Sequence, residues 1–180
     1  FSAPHNLIPF LVVTLIWGTT WIIIRDQLGI GHASADIAHV PPQWSVTYRF
    51  AIAAMGILLL AKFRGLSLRP NRALLRDAAF IGVLQFSLNF NLVYLAERYV
   101  TSGLVALIFA LLIIPNSLLA WYLLHHKPTK RFLAAGLVAM IGIALLMINE
   151  WQAAPAAKGG MILLGFGYTL AAIFCASLAN

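Results

Sequence analysis

An all-α polytopic membrane protein is the fold class this sequence predicts, and three observations predict it. The chain is 62% hydrophobic and only 9% charged, whereas a water-soluble globular domain is about half apolar and a quarter charged. Its apolar residues gather in six blocks, each able at about 1.5 Å rise per residue to cross a hydrocarbon core of about 30 Å. Short polar or basic stretches, too small to be domains, separate the blocks. The formal net charge of +7 would suggest nucleic acid in a soluble protein. Here lysines and arginines held in cytoplasmic loops account for it, so no nucleic-acid partner is expected. One cysteine, Cys175, allows no internal disulfide. No cleavable signal peptide is recognisable, because the first block lacks a basic flank and a small-residue cleavage site. The chain starts at Phe1 and stops at Asn180 inside an apolar block, so it reads as a fragment of a longer protein.

The first span covers residues 6–24 and holds no charge between His5 and Arg25. Thr14, Trp17, Gly18, Trp21 and Arg25 recur at intervals of three and four and share one face. Two readings of Trp17 and Trp21 stay open: an interface pair packed on neighbours, or an aromatic wall of a solute path. Trp17 sits mid-span, away from the depth where belt tryptophans gather. Residues 25–43 form a polar loop, and Pro41-Pro42 marks the start of the next helix. His32 and His39 lie in that loop without a nearby cysteine or third ligand, so they read as loop histidines and not a metal pair. The second span, 44–61, contains Arg49 about two turns inside its start. That cation either snorkels to the interface or faces a cavity.

Residues 62–77 form a basic loop with Lys62, Arg64, Arg69, Arg72 and Arg76. The third span, 78–96, and the fourth, 102–124, follow as a hairpin around the turn 97–103. Pro115 in the fourth span frees a backbone carbonyl near Leu111, and Asn116 beside it can satisfy backbone or meet a ligand. Ser102, Ala106 and Ala110 make a row of small residues that lets a neighbouring helix approach. The loop 125–131 carries His125, His126, Lys127, Lys130 and Arg131. The fifth span is 132–149, with Ala135, Ala139 and Gly142 on another small-residue face. Residues 150–158 form a linker, and 159–180 a sixth span. Loops 62–77 and 125–131 hold eight Lys and Arg; loops 25–43, 97–103 and 150–158 hold three. That split places the even loops and the N-terminus in the cytoplasm.

The third span carries Gln85, Ser87, Asn89, Asn91 and Tyr94, groups that lipid rejects. At about 100° per residue, Gln85 and Asn89 share one face, and Ser87, Asn91 and Tyr94 a nearly opposite one. They cannot all line one cavity. One set is expected to bond to helices at about 1 kcal/mol or less per contact, and the other to touch solute. The chain has no Gly-rich phosphate loop, no paired carboxylates within a span and no nucleophile–base constellation. No enzymatic activity, cofactor or bound metal is expected. No acid lies deep in any span, which argues against proton antiport by this half.

With the spans placed, the chain resembles the drug/metabolite transporter superfamily in its EamA-type ten-helix branch. Trp17-Gly18-Thr19-Thr20-Trp21, Tyr48-Arg49-Phe50, Leu88-Asn89-Phe90, Tyr94-Leu95-Ala96 and Thr101-Ser102-Gly103-Leu104 carry the resemblance. Pro115, Gly136 and Gly142-Ile143-Ala144-Leu145-Leu146 continue it. It implies a ten-helix carrier of two inverted five-helix repeats around a central cavity, lined by the first four helices of each. Residues 1–149 would be the first repeat, 150–158 the linker and 159–180 the first helix of the second. Phe174-Cys175-Ala176-Ser177 can be laid against Ile16-Trp17-Gly18-Thr19, in keeping with a repeat. The family usually reads Gly-Glu-Arg after the fourth span; this chain has His125-His126-Lys127.

The resemblance and the residues together give the expectation of a multi-pass permease of the inner (plasma) membrane that moves a small organic solute by alternating access. Its partners would be that solute, the lipid bilayer and the second repeat of the same chain. Trp17, Trp21, Arg49, Asn89, Asn91, Tyr94 and Asn116 are the expected cavity residues: aromatics to pack the solute, amides to bond it, Arg49 to attract a carboxylate or gate the outer side. Two alternatives stand beside it. One is a non-transporting subunit that assembles through its small-residue faces; the other is a short exporter working as a homodimer.

Overall fold

The structure, a computed structural model, describes residues 4–29, 41–66, 69–153 and 159–180. His32 and His39 lie outside them. The described residues form helices α1 (Pro4–Gln27), α2 (Pro42–Phe63), α3 (Arg72–Ile81), α4 (Asn89–Ala96), α5 (Ser102–Phe109), α6 (Ile113–Leu124), α7 (Lys130–Ala153) and α8 (Gly159–Ala179). A π-helical segment, Gly82–Leu88, joins α3 to α4, and a 3₁₀ turn, Ala110–Leu112, joins α5 to α6. Among the described residues there are thus six continuous helical rods long and apolar enough to cross a membrane. The chain is an all-α polytopic membrane protein.

Local chemistry explains the ends. Pro42 opens α2, where a missing amide hydrogen costs nothing. The Asn71 side chain accepts from the Leu74 amide at 2.7 Å and caps α3. Thr101 caps α5 through the Leu104 amide at 3.4 Å, and Thr129 accepts from the Phe132 amide at 3.2 Å at the start of α7. His125, with φ of 57°, closes α6 in the left-handed conformation, and the His126 amide reaches back to the Ala120 carbonyl at 3.3 Å.

The α-helical ladder is interrupted in two of the rods. The 3₁₀ turn falls around Leu111, whose carbonyl can take no amide from Pro115 and accepts instead from the Ile113 amide. The π segment had no such marker in the sequence. Its widened turn is served by its own neighbours: Asn89 donates to the Gln85 carbonyl at 3.3 Å, and Asn91 to the Ser87 carbonyl at 2.8 Å.

The core sits around α4 and α8. α8 packs most extensively along α4 and also touches the π segment, α5 and α6. It buries one stripe, Ile162, Gly165, Thr169, Ala172, Ile173 and Ala176, at helical spacing. Gly165 permits the closest approach: a Cβ there would stand 2.9 Å from the Tyr99 Cβ and 3.0 Å from a Val100 methyl. Opposite it lie Val93, Ala96, Val100, Leu104, Val105 and Ile108. On the other side of the third rod, α2 packs against α4, and α1 against α5. The outward faces of α1, α2 and α7 leave Leu, Ile, Phe and Val exposed, which suits contact with acyl chains. Ala135 and Ala139 remain on such an exposed face.

Candidate functional site

One end of the bundle gathers polar groups from four helices. Gln27 closes α1, Arg49 lies in the second turn of α2, Tyr94 ends α4, and Ser102 opens α5. The Tyr94 hydroxyl donates to Gln27 Oε1. The Arg49 guanidinium donates to Thr20 Oγ1 at 3.4 Å and faces the Tyr94 phenol. Phe90 and Phe50 flank it, with Arg49 Cζ 5.3 Å and 5.9 Å from their ring centres. Phe50 in turn meets Phe90 and Phe86 edge-on at 4.7 Å and 4.9 Å. Aromatic faces add about 0.5–2 kcal/mol to a cation placed this near a helix end. Arg49 is therefore held between α1 and the third rod.

Glu97 follows directly in the turn 97–101. It is 3% exposed. Ser102 Oγ donates to its Oε2 at 2.5 Å, while Oε1 has no hydrogen-bond partner. Burial pushes this carboxyl up from an ordinary 4.5 to about 7; the Ser102 bond and the Arg25 charge pull it down but do not offset the loss of water.

The expected cavity residues occupy distinct places. Arg49 and Tyr94 meet, with Tyr94 1% exposed. Asn89 is 3% exposed and about 140° around the rod from Tyr94, its Oδ1 without a partner. α4 packs against both α2 and α8. Trp21 is half-buried and tilted on Phe109 at 5.8 Å between ring centres. Trp17 is 62% exposed. Asn91 is half-buried and bonded to its own helix. Asn116, on α6, keeps a buried Oδ1 without a partner, as does Gln85 with its Oε1. A separate groove of about 760 Å³ opens between α6, α7 and α8, and its lining, including Pro115, Met147, Trp151, Phe166 and Phe174, is almost wholly apolar. Among the described residues, no group of three or more His, Cys, Asp or Glu could hold a metal ion.

Sequence reasoning missed Gln27 and Glu97 because both fall just outside the apolar blocks and read as loop. The signal for Glu97 was present: it is one of only five acids, placed five residues before a serine that starts a helix.

Comparison with known proteins decides the family. The EamA-like transporter family matches residues 7–148. The chain belongs to the EamA-like transporter family. It is also similar to the protein PagO of Salmonella typhimurium, 30% identical over 171 residues, covering 89% of this chain and 52% of PagO. An uncharacterized transporter of Buchnera aphidicola is 28% identical over 101 residues, 56% of this chain and 31% of that protein. The chain thus spans about half or less of the length of these curated relatives. No solved structure matches it. The EamA-like match reaches across the first five rods, with the Arg49, Tyr94 and Glu97 positions inside it and all of α8 outside.

Proposed function

We propose that this chain is part of a non-enzymatic permease that moves a small organic solute, amino-acid-like or drug-like, across the inner (plasma) membrane by alternating access. The observation that carries the reading is Arg49. A guanidinium among Thr20, Phe50, Phe90 and Tyr94, inside a bundle of a transporter family, is a costly group kept where a solute's carboxylate or dipole could meet it. Trp17, Trp21, Asn89, Asn91, Tyr94 and Asn116 complete the proposed solute path. The partnerless buried oxygens of Asn89 and Asn116 support their part in it, since such groups call for a donor. Residues 1–149 form the first repeat in this reading, 150–158 the linker and 159–180 the start of the second. The N-terminus and the even loops face the cytoplasm.

Arg49→Ala and Asn91→Ala in the full-length protein should lower solute flux while membrane expression stays normal. Unchanged flux in both removes them from the path. A second reading, a non-transporting subunit, draws support from the self-satisfied amide of Asn91 and the exposed Ala135 and Ala139 face. Cysteines placed along the third rod discriminate. Water-soluble reagent should reach those near Asn89 and Tyr94 in a permease and none of them in a packing subunit.

A further inference from the structure

The turn between the third and fourth rods should be the wettest part of their hairpin, and its only acid is dry. Glu97 is 3% exposed in a turn whose Tyr99 and Val100 lie against Gly165 of α8. One carboxyl oxygen takes the Ser102 hydroxyl at 2.5 Å and the other has no hydrogen-bond partner. A carboxylate with an unsatisfied, buried oxygen is costly, whereas a protonated carboxyl needs fewer donors there. The groups that face it are few. α1 supplies Arg25, which acts on it through space; its own helix supplies Tyr94, already engaged with Gln27 and faced by Arg49 of α2. α5 supplies Ser102 and no ionisable group. α8 supplies no Asp, Glu, Lys, Arg or His; its Tyr168 stacks on Tyr99 at 6.0 Å between ring centres. Arg98, next in the chain, is exposed.

We propose that Glu97, steadied by Ser102, is a proton-binding site: the packed turn holds the neutral carboxyl, and any movement of α8 or α1 that admits water to the turn releases the proton. One side chain with two proton affinities in two arrangements couples proton binding to the movement. The sign follows from burial. From an ordinary 4.5 up to about 7 the packed turn binds a proton that a hydrated turn gives up. Acid therefore favours the packed arrangement, and its advantage is lost as pH rises through about 7. The acid lies in the turn at the end of the third rod and not deep in a span.

The test needs no transported solute, so its outcome is independent of the permease reading. The intact protein in lipid nanodiscs is titrated while the infrared absorption of protonated carboxyl is followed. A band lost with a midpoint near 7 and absent from Glu97→Gln is expected, and Ser102→Ala should move the midpoint upward by removing the donor that favours the charged form. Glu97→Gln retains an oxygen for Ser102 and so keeps the turn closed. In a Cys175→Ser background, the labelling rate of Val100→Cys relative to the exposed Tyr122→Cys should rise with pH. With Glu97→Gln added it should not. A carboxyl band that survives Glu97→Gln, or no band titrating near neutrality, overturns the site. A labelling ratio indifferent to pH overturns the coupling.

Discussion

His125 shows how a single position records a backbone need. It closes α6 at φ of 57°, and among the described residues it alone holds a positive φ without being glycine. The left-handed region costs an L-residue about 1 kcal/mol or more, and glycine nothing. The family resemblance places Gly-Glu-Arg here, so the glycine answers to this conformation and the histidine departs from it at a cost. His125→Gly should raise the thermal midpoint in detergent, by the equivalent of about 1 kcal/mol. His126→Gly, whose φ is not positive, should leave it level or lower. The opposite order would mean that the His125 side chain itself stabilises the loop. Glu97 is the complementary case. There the backbone takes ordinary right-handed angles just past the helix and the side chain bears the cost, shut from water with one oxygen idle.

At the scale of elements, α8 decides how much of the third rod is dry. Its approach depends on Gly165, where a Cβ would meet the Tyr99 Cβ at 2.9 Å, close to the main chain and unable to swing aside. Gly165→Ala should destabilise the bundle by about 1–3 kcal/mol. Gly167→Ala, two residues on with nothing within 4 Å, should stabilise it by up to about 1 kcal/mol through helix propensity. Thermal unfolding of both variants in the same detergent checks the pair of signs; equal shifts would show that α8 does not press on the turn. The rods themselves were legible in the sequence because insertion is governed by hydropathy: five expected spans lie within observed helical rods and the sixth, 159–180, runs one residue past α8. Their ends were not. Helices run on past the apolar blocks, to Gln27 and from Lys130, because helical hydrogen bonding persists through the interface after hydropathy has fallen. The break near Leu111 could be read from Pro115, a residue that lacks the donor. The π segment could not: Gly82–Leu88 holds no proline or other residue that lacks a donor, and it packs against both α8 and α2. The two faces read for Gln85 and Asn89 against Tyr94 rest on one α-helix throughout, which the π segment interrupts.

For the whole molecule, hydropathy specifies depth and charge specifies direction, and the two were read independently. Six rods joined by short connections alternate in direction, so the ends of α1 and α4 and the starts of α2, α5 and α8 belong to one side of the membrane. The polar cluster of Gln27, Arg49, Tyr94 and Glu97 lies at that end. The basic residues lie at the other: Arg69 before α3, Arg72 and Arg76 in its first turns, and Lys127, Lys130 and Arg131 around the start of α7. Because a lysine or arginine resists translocation, the basic end should be cytoplasmic and the Arg49–Glu97 end should face outward. Single cysteines test this in a Cys175→Ser background, using the exposed positions Arg69, Lys127 and Arg98. In right-side-out vesicles a membrane-impermeant maleimide should label Arg98→Cys and leave Arg69→Cys and Lys127→Cys untouched until the membrane is opened. The reverse pattern would invert the molecule. Arg49 and Glu97 would then meet the cytoplasm, and a proton released at Glu97 would leave to that side.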